Sequence, residues 1–262
     1  MSRKQKNDTE IPLFPIIPNT TTIPQQPNYS VWAAIEILQF IVGVGRPVGC
    51  TEISQSLNLD LTRTNRLLKT LAAIEILQQN RRRQYLPGPG LHILTAFALR
   101  GSGLLQSAIP EIEKVIQTYH HPIALGVLWR LSVCYLYYGR ENQTVYLSIA
   151  GHHLFPAWQS SIGIILSSQY SDTILQQLLE NPYPFALLPE HTKQEFLQRV
   201  SEARSKQYAL HPEGTSLAIA LPRIPRVGLA IVGPTTWLSS HQEEALVILK
   251  NLASHILNNP MG

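Results

Sequence analysis

A chain of 262 residues that is 44% hydrophobic can bury two modest cores and is too apolar to be unfolded throughout. No stretch approaches the roughly 20 apolar residues of a membrane helix, and the first ten residues are polar and mixed in charge rather than a secretion signal. Cys50 and Cys134 are too few for a disulfide framework or a zinc site, so a cytoplasmic chain with reduced, packing cysteines and no cofactor is expected. The formal net charge of +4 is unevenly spread, with 10 Lys and Arg against 6 Asp and Glu in residues 1–90 and 11 of each in residues 91–262. A basic segment beside a neutral one suits nucleic-acid binding by the first, because phosphate contacts supply most sequence-independent affinity.

Residues 11–27, rich in Pro, Thr, Asn and Gln and without apolar period, belong to an N-terminal arm set at 1–28. A first helix then has Ser30 as N-cap and Val31, Ala34, Ile35, Leu38, Ile41 and Val42 on one face, stopping near Gly43 and Gly45. A short second helix begins at Thr51, which can cap it, with Ile53 and Leu57 inward. Asn58-Leu59-Asp60 breaks it, and residues 62–74 form a third helix with Thr64, Leu67, Leu68 and Leu71 buried. Residues 76–80 and 84–86 make a small hairpin around Arg81-Arg82-Arg83. This first domain spans 29–90, and Pro87-Gly88-Pro89-Gly90 ends it.

A linker segment, 91–108, is expected to be helical and interrupted near Gly101 and Gly103, and a second domain follows over 109–262. There, helices at 109–119, 163–168, 172–179, 192–206 and 240–257 are mixed with strands at 123–128, 132–138, 144–149, 216–221 and 227–232. The order is not strictly βαβ, which favours an antiparallel sheet flanked by helices. The fold class read from the chain is therefore α+β, with a winged helix-turn-helix ahead of that sheet.

Helix, short helix, turn, third helix and basic hairpin in that order make a winged helix-turn-helix, and its chemistry depends on the face of the third helix left outward. The period leaves Thr62, Arg63, Arg66, Lys69 and Thr70 outward and Asn65 near the edge. Arg63 and Arg66 can bond guanine edges bidentately, Asn65 can read adenine, Thr62 can hold a phosphate near the helix start and Lys69 suits phosphate contact. Arg81, Arg82 and Arg83 reach the flanking backbone or minor groove. Thr51, opening the second helix, is counted with these DNA contacts. An Arg triplet in a turn is by itself most often a solvated loop. Its coincidence with a donor-rich helix and a preceding turn, within a short stretch, favours an operator-binding surface for double-stranded DNA.

The run Thr51-Glu52-Ile53-Ser54-Gln55-Ser56-Leu57-Asn58-Leu59, continued by Thr62-Arg63-Thr64-Asn65-Arg66-Leu67-Leu68-Lys69-Thr70-Leu71, resembles the isocitrate-lyase-regulator (IclR) family of bacterial transcription factors. Tyr85-Leu86-Pro87-Gly88-Pro89 is similar to the family's exit from the wing, and weaker likeness runs through residues 161–166, 207–210 and 228–234. The resemblance implies a GAF-like second domain that binds a small-molecule effector or mediates assembly, and homodimers or homotetramers (dimers of dimers) on paired half-sites. An effector pocket so implied is lined by Trp158, Ser160, Ser161, Gly163, Ser216 and a sheet face bearing Trp129 or Tyr135. These aromatics equally suit a core and the serines suit caps. Where the family turns out of its recognition helix with Gly the chain has Glu75, which points to a different helix exit.

The chain lacks a nucleophile elbow and a phosphate-cradling Gly loop, and its His120-His121 and His152-His153 pairs diverge rather than converge on a metal, so neither catalysis nor a metal site is expected. Two other readings stay open: a DNA-binding regulator whose second domain only assembles, and an enzyme with an incidental basic start.

Overall fold

A computed structural model describes residues 28–143, 154–180 and 187–258. The N-terminal arm up to residue 27, the strand expected at 144–149 and His152-His153 lie outside these. The chain forms two compact units, Met1–Leu91 and His92–Gly262.

In the first unit, α1 (Tyr29–Val44) is capped by Asn28, whose side-chain oxygen accepts from the Ser30 and Val31 amides at 3.0 and 3.3 Å. Ser30 is thus the second helical residue and not the cap. The stripe it buries is Ala33, Glu36, Ile37, Phe40 and Ile41, while Val31, Ile35 and Val42 face outward. A helix apolar nearly all round offers two stripes at helical spacing, and periodicity alone picks either. Gly45 (φ 67°) ends α1 in the left-handed region.

Strand β1 (Val48–Gly49) leads directly into α2 (Cys50–Ser56), so Gly49 precedes the helix and Thr51 lies inside it without capping. After α3 (Leu61–Ala73), β2 (Leu77–Gln79) and β3 (Gln84–Pro87) form the hairpin. β1 adds to β3 through Val48↔Tyr85 and Gly49↔Gln84, making a three-stranded sheet in the order β1-β3-β2. A two-residue strand has no period to read. The exit from α3 is made at Glu75 with φ 61°, so the left-handed turn is kept without its glycine. The Glu75 carbonyl accepts from the Gly90 amide and that of Ile76 from Gly88, both at 2.9 Å; a side chain on Gly88 would overlap this backbone.

Helix α4 (Pro89–Arg100) stops at Gly101, and Ser102 caps α5 (Gly103–Tyr119) through the Leu105 amide, so the helix expected from 109 starts six residues earlier. In the second unit follow β4 (Ile123–Trp129), β5 (Ser132–Gly139), β6 (Leu154–Pro156), α6 (Ser161–Ser167), α7 (Asp172–Glu180), α8 (Glu190–Lys206), β7 (Ala209–Leu210), β8 (Ser216–Ala220), β9 (Val227–Val232), α9 (Thr235–Ser240) and α10 (Gln242–Asn258). The helix expected over 240–257 is α10, the short α9 ahead of it was not expected, and β6 and β7 are short edge strands that the alternation did not mark.

The strands form one antiparallel sheet in the order β6-β5-β4-β9-β8-β7. Side chains alternate between its faces. Ile123, Leu125, Leu217, Ile219, Leu229 and Ile231 pack with Ile112 and Ile116 of α5 and Leu249, Leu252 and Ile256 of α10. The alternate positions are small: Ala124, Gly126, Ala218, Gly228 and Ala230. Small residues let α6 lie close, and Ile162 seats against Gly126 and Gly228. The expected α+β architecture is the observed one.

Candidate nucleic-acid interface

The turn between α2 and α3 is built from side chains chosen for it. The Leu59 amide donates to the Ser54 carbonyl at 2.9 Å and the Ser54 hydroxyl donates to the Leu59 carbonyl at 2.7 Å, while Asn58 takes φ 49°. Asp60 caps α3 by accepting the Arg63 amide at 2.7 Å, and its carboxylate complements the positive helix end. The hydroxyl of buried Thr64 donates to the Asp60 carbonyl at 2.8 Å, which satisfies it within the core. On the α2 side, Arg46 makes a bidentate pair with Glu52, at 2.6 and 3.3 Å.

Helix α3 buries Thr64, Leu68 and Leu71 and half-buries Leu67. Thr62, Arg66, Lys69 and Thr70 are exposed, and Asn65 is half-buried. Arg63 differs from its expected role. Its guanidinium Nη2 donates to the Tyr29 carbonyl at 2.6 Å, tying the start of α3 to the start of α1. Leu61, half exposed, adds an apolar side chain beside Thr62, although the helical period sets it on the same stripe as Thr64 and Leu68. Thr51 is exposed on α2.

Arg81, Arg82 and Arg83 are exposed at the tip of the β2–β3 hairpin. Asn80 shapes the tip: its side-chain oxygen accepts from the Arg82 and Gln84 amides at 2.9 and 3.0 Å, and its carbonyl accepts from the Arg83 amide at 3.0 Å. Arg83 takes φ 59°, where glycine is the unstrained choice. Outward cations on α3 and on the hairpin tip can engage phosphates, and the arginine fork can take two acceptors on one base edge. The neighbouring Cys50 thiol is pushed up by burial and so stays in its unreactive protonated form.

In the second unit, Tyr135, Ser160, Ser161, Gly163 and Ser216 come together. The Tyr135 hydroxyl meets Ser160 Oγ at 2.9 Å, Ser160 caps α6 at the Gly163 amide (3.2 Å), and Ser161 Oγ meets Ser216 Oγ at 2.7 Å. Ser160 and Ser161 are only 1% and 2% exposed. A side chain on Gly163 would overlap the Cα and carbonyl of Ala157. Burial pushes the Tyr135 phenol above its ordinary value, against the opposing Ser160 hydrogen bond, so it stays neutral. Trp129 stands apart under the Arg130 guanidinium, and Trp158 turns edge-on to Phe196. His120 caps α5 and meets Glu141, whereas His121 packs at a tilt against the Trp237 ring, so this pair does diverge. Among the described residues, no group of three or more His, Cys, Asp or Glu is arranged to hold a metal, and no helix is long and apolar enough to cross a membrane.

No family model matches the chain. It is 24% identical over 254 residues to the HTH-type transcriptional regulator KdgR of Dickeya chrysanthemi, covering 91% of this chain and 82% of that protein. The solved structure of an IclR family transcriptional regulator from Brucella abortus matches with a TM-score of 0.70 at 17% identity, over 95% of this chain and 98% of that one. An IclR homolog from Microbacterium hydrocarbonoxydans, solved in complex with 4-hydroxybenzoate, matches with a TM-score of 0.53 at 21% identity, over 87% and 97%.

Proposed function

We propose that this chain, an IclR-type regulator in fold and in sequence likeness, is a sequence-specific DNA-binding transcription regulator and not an enzyme. One observation carries the reading: Thr62, Arg66 and Lys69 stand outward on a capped α3, beside a hairpin whose tip presents three exposed arginines. On this reading α3 lies in the major groove, with Arg66 on a guanine edge, Asn65 on a neighbouring adenine, and Thr62 and Lys69 on phosphates. Arg81, Arg82 and Arg83 take the flanking backbone or minor groove. Arg63, held by the Tyr29 carbonyl, sets the angle of α3 instead of reading a base.

Assembly is supported by α4, which buries none of its residues and exposes Ile93, Leu94 and Phe97. An apolar hollow of about 450 Å³, lined by Leu99, Leu105, Ile109 and Pro110 among others, opens further along the chain. Paired copies bring two α3 helices to half-sites about one DNA turn apart. Selection from a random duplex library is expected to return an inverted repeat with that spacing. Recovery of unrelated sequences would contradict the reading.

The second unit controls the first through assembly or through an effector. The 4-hydroxybenzoate held by the Microbacterium homolog favours an effector. The Ser161–Ser216 and Tyr135–Ser160 hydrogen bonds favour assembly alone, because an effector at this cluster has to displace them.

A further inference from the structure

The β4–β5 turn and the β8–β9 connection share one end of the six-stranded sheet. β4 and β9 pair up to Val127↔Val227, and the Leu128 amide donates to the Arg226 carbonyl at 2.9 Å. Three residues of these two connections have positive φ, and all are arginines: Arg130 (55°), Arg223 (64°) and Arg226 (60°). Glycine takes such φ without steric cost, so arginine in all three places is not what the backbone asks for. Among the described residues the other arginine of this kind is Arg83, at the tip of the basic hairpin.

Two of the three side chains lie over aromatic rings. The Arg130 guanidinium lies 4.7 Å from the ring centre of Trp129 and that of Arg226 lies 5.1 Å from Tyr170. The Tyr170 hydroxyl donates to the Arg130 carbonyl at 3.2 Å, so both connections converge on one buried phenol. Arg204 fixes the Tyr170 segment through the carbonyls of Ser168 and Tyr170, and it pairs with Asp172 at 3.0 Å. The two connections themselves, residues 128–133 and 220–227, contain no Asp or Glu, and Asp172 beside the Tyr170 segment is taken up by Arg204. Three positive charges thus gather at one end of a unit whose sequence as a whole is balanced.

We propose that this end of the sheet is a second surface for the DNA backbone, with Arg130, Arg223 and Arg226 engaging phosphates outside the stretch read by α3. The inference rests on the DNA-binding reading above. Guanidinium forks match phosphate oxygens, and stacking on Trp129 and Tyr170 restricts rotamers before contact, so less order is lost on binding. A protein partner fits less well, because none of the exposed large hydrophobic side chains belongs to these segments and protein interfaces are centred on apolar anchors.

The test uses the full chain with Arg223→Gly and Arg226→Gly together, since glycine takes both backbones without strain. The selected operator is presented in a duplex just covering the half-sites and in one extended by about two helical turns on each side. Each phosphate contact adds about 0.9 to the slope of log affinity against log salt. Two arginines in each of two bound copies make four contacts, so on the long duplex the double variant is expected to lose about 4 from that slope and at least tenfold in affinity at low salt. The short duplex, which lacks the outer phosphates, is expected to bind both proteins alike. Equal slopes and affinities on the long duplex would overturn the proposal. So would a loss confined to binding of poly-glutamate, which would assign the surface to an acidic protein. If the parent binds neither duplex, the DNA-binding reading itself fails and takes this one with it, whereas intact short-duplex binding without a length effect sinks this one alone.

Discussion

Gly163 shows how one residue fixes a local arrangement that composition does not announce. Its missing side chain lets α6 fold against Ala157, and α6 is buried over its whole length. Gly163→Ala is therefore expected to destabilise the protein by about 2–3 kcal/mol, the upper range for overpacking a filled site; a denaturation midpoint unchanged from the parent would show that the segment yields. Arg83 carries the opposite balance. Arg83→Gly removes a positive-φ side chain, so it is expected to stabilise the protein by about 1 kcal/mol while lowering the salt slope of DNA binding by about 1 for each bound copy. Loss of both stability and affinity would mean that the arginine supports the hairpin itself. Glu75, which sits in the same backbone region, was read from the sequence as a sign of a different helix exit. The chain keeps the left-handed turn and bears the strain, because the Gly90 and Gly88 amides anchor the carbonyls of Glu75 and Ile76.

Among elements, those with a single apolar stripe were the most legible. Helix α3 has polar residues between its leucines, so its buried and outward faces were separable, and its two ends and the turn before it lay within one or two residues of expectation. Helix α1 was located but rotated, since Val31, Ile35 and Val42 form as good a stripe as Ala33, Ile37 and Phe40. Strands β1 and β7 are two residues long and exist through pairing, which no local pattern encodes. The engagement of Arg63 by the Tyr29 carbonyl spans 34 residues of sequence and was equally invisible. Helix α4 carries the prediction at this scale. Phe97 is 65% exposed, so Phe97→Asp should leave unfolding free energy within about 0.5 kcal/mol. Sedimentation is expected to show a monomer in place of a dimer, with operator affinity down at least tenfold. A variant that stays dimeric would move the assembly surface away from α4.

For the whole molecule, the division of charge was readable before any element was placed: the positive excess falls in residues 1–90. The chain divides into two compact units, and alternation of small and large residues in β4, β8 and β9 gives their sheet one face for α6 and another for α5 and α10. The second unit's chemistry was less legible. Five of the residues expected to line a pocket do converge, yet their hydroxyls bond to one another, and only the fold reveals those pairings. The arginines at the far end of that sheet are scattered through the sequence and gather only when β4 pairs with β9. The central claim remains that α3 reads DNA with Arg66 while Arg63 positions the helix. It is tested most directly by measuring base preference at each position of the selected operator for the parent, Arg66→Ala and Arg63→Ala. Arg66→Ala is expected to cost about 1–3 kcal/mol and to relax preference at one guanine per half-site, whereas Arg63→Ala weakens binding without changing preference at any single position. If Arg66→Ala bound with unchanged affinity and preference, or if Arg63→Ala alone relaxed one position, the assignment would be contradicted.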